Sequence, residues 1–339
     1  MLWLSKNLTG IDIGSYSVKL VAFGGRPGAY SLKAAACFKL PSERGQAKPV
    51  EPGFLSEMIR SQRAAGRRVA ALFTGHSLIF KHLHLPEMPE KDLKEAVKWE
   101  VRKELSIAPD DLVSDYVLAG RGKDKTLSII AFAAMKNEIE SEMRLFKEAG
   151  VDLRALDAAP TALLSAFDLN NEWEPGVNYG MLDVGETKST FAILKDKTLS
   201  FVREISVGGG DITRSLAQAL NIDHTEAEYM KVSSGLTGDK AALKAMTAPL
   251  ERLSTELHRS IDYYQAQFRE GGVSKLFLSG GTARLIGIDG LITTLTGIQS
   301  YPDDPLRKIK IPKGIDRQAL GAIAPCLSIA AGLAAKGPR

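Results

Sequence analysis

Gly10-Ile11-Asp12-Ile13-Gly14-Ser15-Tyr16-Ser17-Val18-Lys19 has a counterpart about half a chain later in Met181-Leu182-Asp183-Val184-Gly185-Glu186-Thr187-Lys188-Ser189. Each begins as an alternating apolar strand, turns through small or hydroxylated residues, and leaves as a second strand. The exits are Val18-Lys19-Leu20-Val21 and Thr190-Phe191-Ala192-Ile193-Leu194. Such turns aim backbone N–H groups and hydroxyls at anionic oxygens, as phosphate nests do. Duplication implies two like halves facing one shared ligand. Opposed carboxylates at Asp12 and Asp183 suit Mg²⁺ held through water, because Mg²⁺ favours carboxylate and phosphate oxygens and keeps several waters.

One Asp-x-Gly turn between strands is most often an ordinary hairpin. A third element near the C-terminus changes that reading. Lys275-Leu276-Phe277-Leu278 reads as a buried strand, followed by Ser279-Gly280-Gly281-Thr282-Ala283 and an apolar helix. Glycines between a strand and a helix let a backbone approach a ligand at the helix N-terminus.

On these three elements the chain resembles the actin-like ATPase superfamily and, within it, the type IV pilus assembly PilM family. Asp12, Gly14, Ser15 and Lys19 match the first phosphate motif, and Ser17 adds a hydroxyl to that turn. Asp183, Gly185 and Thr187 match the second motif, with Lys188 beside them; Gly280, Gly281 and Ala283 match the adenosine motif. Ala227-Glu228-Tyr229-Met230-Lys231 looks like the helix whose Glu and Lys approach ribose and adenine in relatives, which assigns Glu228 and Lys231 to the nucleotide. The connecting helices correspond to 153–167 and 318–334. The resemblance covers almost the whole chain and implies an α/β, two-lobed fold of duplicated ribonuclease H-like domains with ATP and Mg²⁺ as ligands.

Length and composition agree. At 339 residues the chain exceeds what one core usually supports, and 44% apolar residues are ample for burial. A net charge of +4, from 44 basic and 40 acidic residues, is too balanced to indicate nucleic-acid binding. Cys37 and Cys326 lie far apart and read as reduced thiols of a cytoplasmic protein, and the five histidines form no metal spacing. Met1-Leu2-Trp3-Leu4 is too short for a signal peptide. The apolar stretch 319–335 carries Pro325 and Ser328 and reads as a buried connecting helix rather than a span, so no direct membrane insertion is expected.

Breakers set the organisation. Lobe I is expected over 1–168 plus 316–339, with an inserted subdomain at about 82–136, and lobe II over 169–315. Residues 41–53 read as a surface loop, 54–65 as a helix, 69–73 as a strand and 137–148 as a helix. The insert reads as an extended entry, a helix from Glu90 to Leu105, and strands near 115–118 and 126–134. Leu85-Pro86-Glu87-Met88-Pro89-Glu90-Lys91-Asp92-Leu93 resembles the small subdomain shared by PilM and the division protein FtsA. Leu93, Val97, Val101 and Leu105 make one apolar stripe, and Trp99 falls nearly opposite it. Trp99 either packs on a neighbouring element or belongs to a partner surface, where aromatics are enriched. The resemblance implies as partners the N-terminal cytoplasmic tail of a PilN-like inner-membrane protein, bound in a groove beside this subdomain, and other pilus assembly proteins. Self-association is left open.

Turnover is expected to be slow or absent. Relatives carry a Glu before a proline in the first connecting helix, whereas Ala158-Ala159-Pro160 stands here; a methyl group cannot orient a water. Asp157 is read as pointing elsewhere on the same helix. Glu186 is expected to face solvent, with Lys188 compensating if it does not. Gly208-Gly209-Gly210-Asp211 reads as a helix entry capped by Asp211, with a phosphate contact at Gly209 as the alternative. Four classes follow: a nucleotide-binding pilus scaffold localised to the cytoplasm and held at the inner membrane through its partner, a small-molecule kinase, an FtsA-like filament protein, and the cytoplasmic part of a GspL-like secretion protein. The scaffold is favoured, because the chain stops at Lys336-Gly337-Pro338-Arg339 without the anchor or span the last two require.

Overall fold

A computed structural model describes residues 8–43, 46–62, 68–103, 111–122, 124–237 and 239–336. The opening Met1–Leu4, Leu105, residues 63–65 of the expected first helix and Gly337–Arg339 lie outside them.

The first half opens with strands β1 (Thr9–Ile13), β2 (Ser17–Arg26) and β3 (Ala29–Lys39). A short hairpin follows, β4 (Ser42–Glu43) with β5 (Gln46–Ala47), then helix α1 (Pro52–Ser61) and strand β6 (Arg68–Leu72). The expected loop 41–53 thus holds a hairpin, and α1 starts two residues early. Proline is tolerated in a first helical turn, where its missing N–H is unused. The insert comprises β7 (Ile79–Pro86), α2 (Glu90–Arg102), β8 (Leu112–Arg121) and β9 (Thr126–Met135). Then come α3 (Lys136–Glu148), β10 (Asp152–Asp157) and α4 (Ala159–Asn170).

The expected helix over 153–167 is therefore a strand followed by a helix. Leu153 to Asp157 complete a sheet by pairing in parallel with β6, and the helix begins only at Ala159-Pro160. Asp157 ends a strand instead of lying on that helix.

The second half repeats the first. Strands β11 (Tyr179–Val184), β12 (Ser189–Lys195) and β13 (Thr198–Ile205) precede α5 (Gly209–Leu220), α6 (His224–Ser234) and the long α7 (Lys240–Phe268). Strand β14 (Lys275–Ser279), a 3-10 turn (Gly281–Arg284), α8 (Ile288–Thr296) and β15 (Ser300–Pro302) complete it. The chain returns through α9 (Arg317–Ile323), a 3-10 turn (Ala324–Leu327) and α10 (Ser328–Ala335). One helix was expected over 318–334. Pro325 divides it, since proline can neither donate to the ladder nor clear the preceding carbonyl.

The two large sheets have one plan. Their orders are β10-β6-β1-β2-β3 and β13-β12-β11-β14-β15. Each has an antiparallel meander on one side and two parallel strands on the other. Asp12 faces Lys19 across the first hairpin, and Asp183 faces Thr190 across the second. Lys188 therefore takes the place that Ser17 holds, confirmed by matching turn bonds: Gly14 N–H to the Ser17 carbonyl at 3.0 Å, and Gly185 N–H to the Lys188 carbonyl at 3.1 Å.

Helices α4 and α10 lie between the sheets. Ala162, Leu163 and Phe167 of α4 join Ala70 of one sheet and Met181 and Leu194 of the other in one apolar cluster with Ile329 and Leu333 of α10. The approach is close enough to demand glycine. A Cβ on Gly10 would overlap the Ala330 carbonyl, and one on Gly332 would overlap the Ala162 carbonyl. Lys336 pairs with Asp157, tying the end of α10 to the start of α4. The stretch Arg317–Ala335 is long and apolar enough to cross a membrane, yet about two-thirds of its most apolar window (67%) is buried in this core.

The insert forms a three-stranded sheet, β7-β9-β8, backed by the buried stripe Leu93, Val97 and Val101 of α2. Ser77 clasps its two ends to lobe I: its N–H and Oγ donate to Glu138 at 3.0 and 2.6 Å, and its Oγ accepts from Met135 N–H. The insert also reaches lobe II. His82 stacks on Phe201 at 4.9 Å, and its Nε2 lies 3.3 Å from the Val202 carbonyl of β13.

Candidate functional site

The two turns meet. Ser15 Oγ and Thr187 Oγ1, from opposite lobes, are 3.4 Å apart. Behind them lie Lys19 and Asp12, both buried, with Lys19 Nζ 3.1 Å from Asp12 Oδ2, and the half-buried Asp183. Burial alone would push the Lys19 ammonium towards neutrality, but Asp12 and then Asp183 outweigh it and hold its pKa above the usual value. Burial first, and then the Asp12 charge, push the Asp183 carboxyl up to about 6, against Lys19 and the Ser279 hydroxyl, which donates to Asp183 Oδ1 at 2.9 Å. The two carboxylates, one of them paired with the Lys19 ammonium, offer the oxygen ligands that a divalent cation takes.

Gly14 is fixed by close approach, since a Cβ there would fall 2.8 Å from Lys19 Nζ. Ser17 is buried on the neighbouring strand. Gly185 receives Thr282 Oγ1 on its carbonyl at 3.2 Å, joining the second turn to the adenosine corner. Lys188 is turned away: its Nζ pairs with Glu204 of β13 at 2.5 Å on an exposed face.

At the adenosine corner Gly280 has φ +88° and donates to the Pro325 carbonyl at 2.9 Å. Its backbone conformation and its contact with Val184 leave no room for a side chain. Ala283 is buried, while Gly281 faces open space and is the position where a ligand backbone could approach.

Helix α6 presents Glu228 and Lys231 to the start of α5. Lys231 is buried and bonds Glu228 at 2.6 Å, Thr213 Oγ1 at 2.8 Å and the Gly209 carbonyl at 3.2 Å. Thr213 Oγ1 in turn lies 2.5 Å from Glu228 Oε2. Asp211 does not cap the helix directly. It sits at the third helical position and accepts from Gly208 N–H at 2.8 Å, because the helix begins a turn earlier, at Gly209.

Glu186 is half-buried and turns toward the start of α5 rather than fully into solvent. Its carboxylate lies against Gly209 and Gly210, with Oε1 2.8 Å from where a Gly210 Cβ would stand. The missing side chains make that room, and the positive end of α5 draws the charge in. Burial holds its pKa above the usual carboxylate value, with Glu228 adding to it against Lys231, His224 and Arg214.

Asp157 is already engaged by Thr161 Oγ1 at 2.5 Å and by Lys336. Ala159, at the position of the relatives' water-orienting Glu, opens α4. Ser279, Thr282 and Thr213 also join the site, yet each offers only a hydroxyl to a sequence reading: Ser279 ends β14, Thr282 lies in the 3-10 turn after it, and Thr213 lies in the second turn of α5. The site thus brings Asp12, Gly14, Ser15, Lys19, Asp183, Gly185 and Thr187 together, places Gly209, Glu228, Lys231, Gly280, Gly281 and Ala283 around it, and leaves Lys188 outside. Among the described residues no cluster of three His, Cys, Asp or Glu forms a preassembled metal site.

A family model described as type IV pilus assembly protein PilM matches residues 10–337. The chain belongs to the PilM family. A chain of the PilM-PilN type IV pilus biogenesis complex superposes with a TM-score of 0.84 at 26% identity, covering 98% of this chain and 99% of that one. The ethanolamine utilization protein EutJ from Carboxydothermus hydrogenoformans superposes at 0.58 with 15% identity, covering 97% and 89%, and so shares the fold. The cell division protein FtsA of Enterococcus hirae is 22% identical over 193 residues, 50% of this chain. That match spans only 42% of FtsA itself. The family member keeps the actin-like fold expected from its three motifs.

Proposed function

We propose that this chain is an ATP-binding scaffold of the type IV pilus assembly complex, docking the cytoplasmic tail of a PilN-like inner-membrane protein with slow or no hydrolysis. It would act in the cytoplasm, held at the inner membrane by that partner. The observation that carries the reading is the pairing of turns across the cleft, Ser15 to Thr187, with Lys19, Asp12 and Asp183 behind them. Superposition over nearly the full length of a chain from a PilM-PilN complex supports the partner.

The residues fit a triphosphate with Mg²⁺. The turn N–H groups and hydroxyls of 14–17 and 185–187 would bind phosphate oxygens, and Lys19 would supply the positive charge. Asp12 and Asp183 would hold Mg²⁺ through water, a cation that would neutralise polyphosphate charge. Gly281 leaves open space that adenosine would fill. Ala159 and the engaged Asp157 provide no group free to orient a water, which supports slow turnover.

The test pairs two measurements on the full chain: calorimetric titration with Mg-ATP, and capture of a peptide copying the tail of a PilN-like protein. Asp12→Ala is expected to abolish Mg-dependent ATP binding while leaving the circular dichroism spectrum intact. Wild-type ATP affinity in that variant, or no tail binding by the parent, would sink the reading.

A further inference from the structure

The chain's two cysteines, remote in sequence, are neighbours in space. Cys37 lies on β3 directly across from Lys19 of β2, and Cys326 lies in the 3-10 turn between α9 and α10. Both thiols are free and belong to one apolar cluster, with Cys326 buried and Cys37 half-buried. The 3-10 turn that carries Cys326 packs against β3, and the Cys326 thiol donates to the Ile323 carbonyl at 2.9 Å. The charges of Lys19 and Arg284 bear on Cys37. The neighbouring Cys326 thiol, with Ser17, Lys19 and Arg284 after it, pulls the Cys37 thiol down to about 6 against burial, while Cys326 is raised by Cys37 and by burial. One sulfur is therefore a ready thiolate, and the other is a thiol held beside it.

The turn that carries Cys326 is where the lobes are joined. Its Pro325 carbonyl accepts Gly280 N–H of the adenosine corner, and Ser328, just after it, donates to the buried Asp303 of lobe II at 2.6 Å. Strand β3 belongs to lobe I. A covalent link from Cys37 to Cys326 would tie that strand to the crossing between the lobes.

We propose that Cys37 and Cys326 form a peroxide-sensitive dithiol whose disulfide pins the interlobe crossing and slows nucleotide exchange. In the first step the Cys37 thiolate attacks a peroxide oxygen, the O–O bond breaks, hydroxide leaves and Cys37 becomes a sulfenic acid. In the second, the Cys326 sulfur attacks the sulfenic sulfur; the S–O bond breaks, and the departing hydroxyl takes the thiol proton as water. The dithiol loses two electrons and peroxide gains them. A thiol reductant reverses the change. The chemistry stands on the pair alone, whereas its effect on exchange rests on the ATP-binding reading above.

The full chain, reduced and then treated with hydrogen peroxide at pH 7.5, is mapped by non-reducing peptide mass spectrometry. The expected result is a linked Cys37–Cys326 peptide, reversed by dithiothreitol. Cys326→Ser should instead accumulate a dimedone-trappable sulfenic acid on Cys37, and Cys37→Ser should form neither product. Release of a fluorescent ATP analogue should slow at least about threefold on oxidation of the parent and stay unchanged in Cys326→Ser. Over-oxidation of Cys37 or intermolecular dimers without the linked peptide would overturn the dithiol. A disulfide with unaltered release would overturn its role in exchange. A reduced protein that binds no nucleotide would fail the proposed function instead, with the peptide map still deciding the disulfide.

Discussion

Asp183 is a half-buried acid beside a second acid, and its energetics follow from that placement. Its pKa in the folded chain is about 6, above the ordinary 3.8. Between those values the folded state keeps a proton that the unfolded state has lost, so stability falls as pH rises through the window. The full loss, reached near pH 7, is about 3 kcal/mol in the nucleotide-free chain. Asp183→Asn cannot ionise, and it is expected to be more stable than the parent by that order at pH 7.5, with the advantage fading near pH 4. Urea unfolding across pH measures this; an equal difference at both ends would contradict it. At the same scale, Asp12, Lys19 and Asp183 were legible because their motif spacing recurs. Glu186 was not: its inward turn depends on space left by Gly209 and Gly210, more than twenty residues away in sequence.

Helix α2 shows what periodicity can and cannot settle. Its stripe of Leu93, Val97 and Val101 is buried as the spacing requires, and Trp99 is 57% exposed on the other side. Lys103 Nζ lies 3.6 Å from the centre of the Trp99 ring, a cation–π contact that stiffens a large apolar surface in water. Trp99→Ala is therefore expected to weaken binding of the PilN-like tail peptide at least tenfold with little change in melting temperature, as an exposed anchor would. Equal peptide affinity in the folded variant would remove Trp99 from the interface. The connecting elements were harder to read. Strand β10 and helix α4 read as one helix in the sequence, because Leu153 to Ala158 carry no breaker; only pairing with β6 makes the first part extended. Pro325 was visible, but its effect on the second helix was underweighted.

On the scale of the whole molecule, the insert belongs to lobe I by sequence yet rests on both lobes. The Ser77–Glu138 clasp holds it on one side, and His82 against Phe201 and Val202 holds it on the other. A ligand at the insert and a ligand in the cleft therefore act on the same lobe angle. Linkage requires their couplings to be equal: if saturating tail peptide changes the ATP dissociation constant by a factor, ATP must change the peptide's by that factor. We expect a factor of about 5 or more in both directions, measured by two reciprocal calorimetric titrations. A factor of one would mean that the insert does not sense the cleft. The two-lobed plan was legible from the repeated turns, since duplication appears directly in sequence. The bridging role of the insert was not, because His82 and Phe201 come together only when the halves pack.

The helix pair at the centre has a mechanical corollary. Where Gly10 meets Ala330 and Gly332 meets Ala162, main chain rests on main chain with no side chain to act as a cushion. Such a seam has no slack for gliding, so β1, α10 and α4 travel as a single block within lobe I.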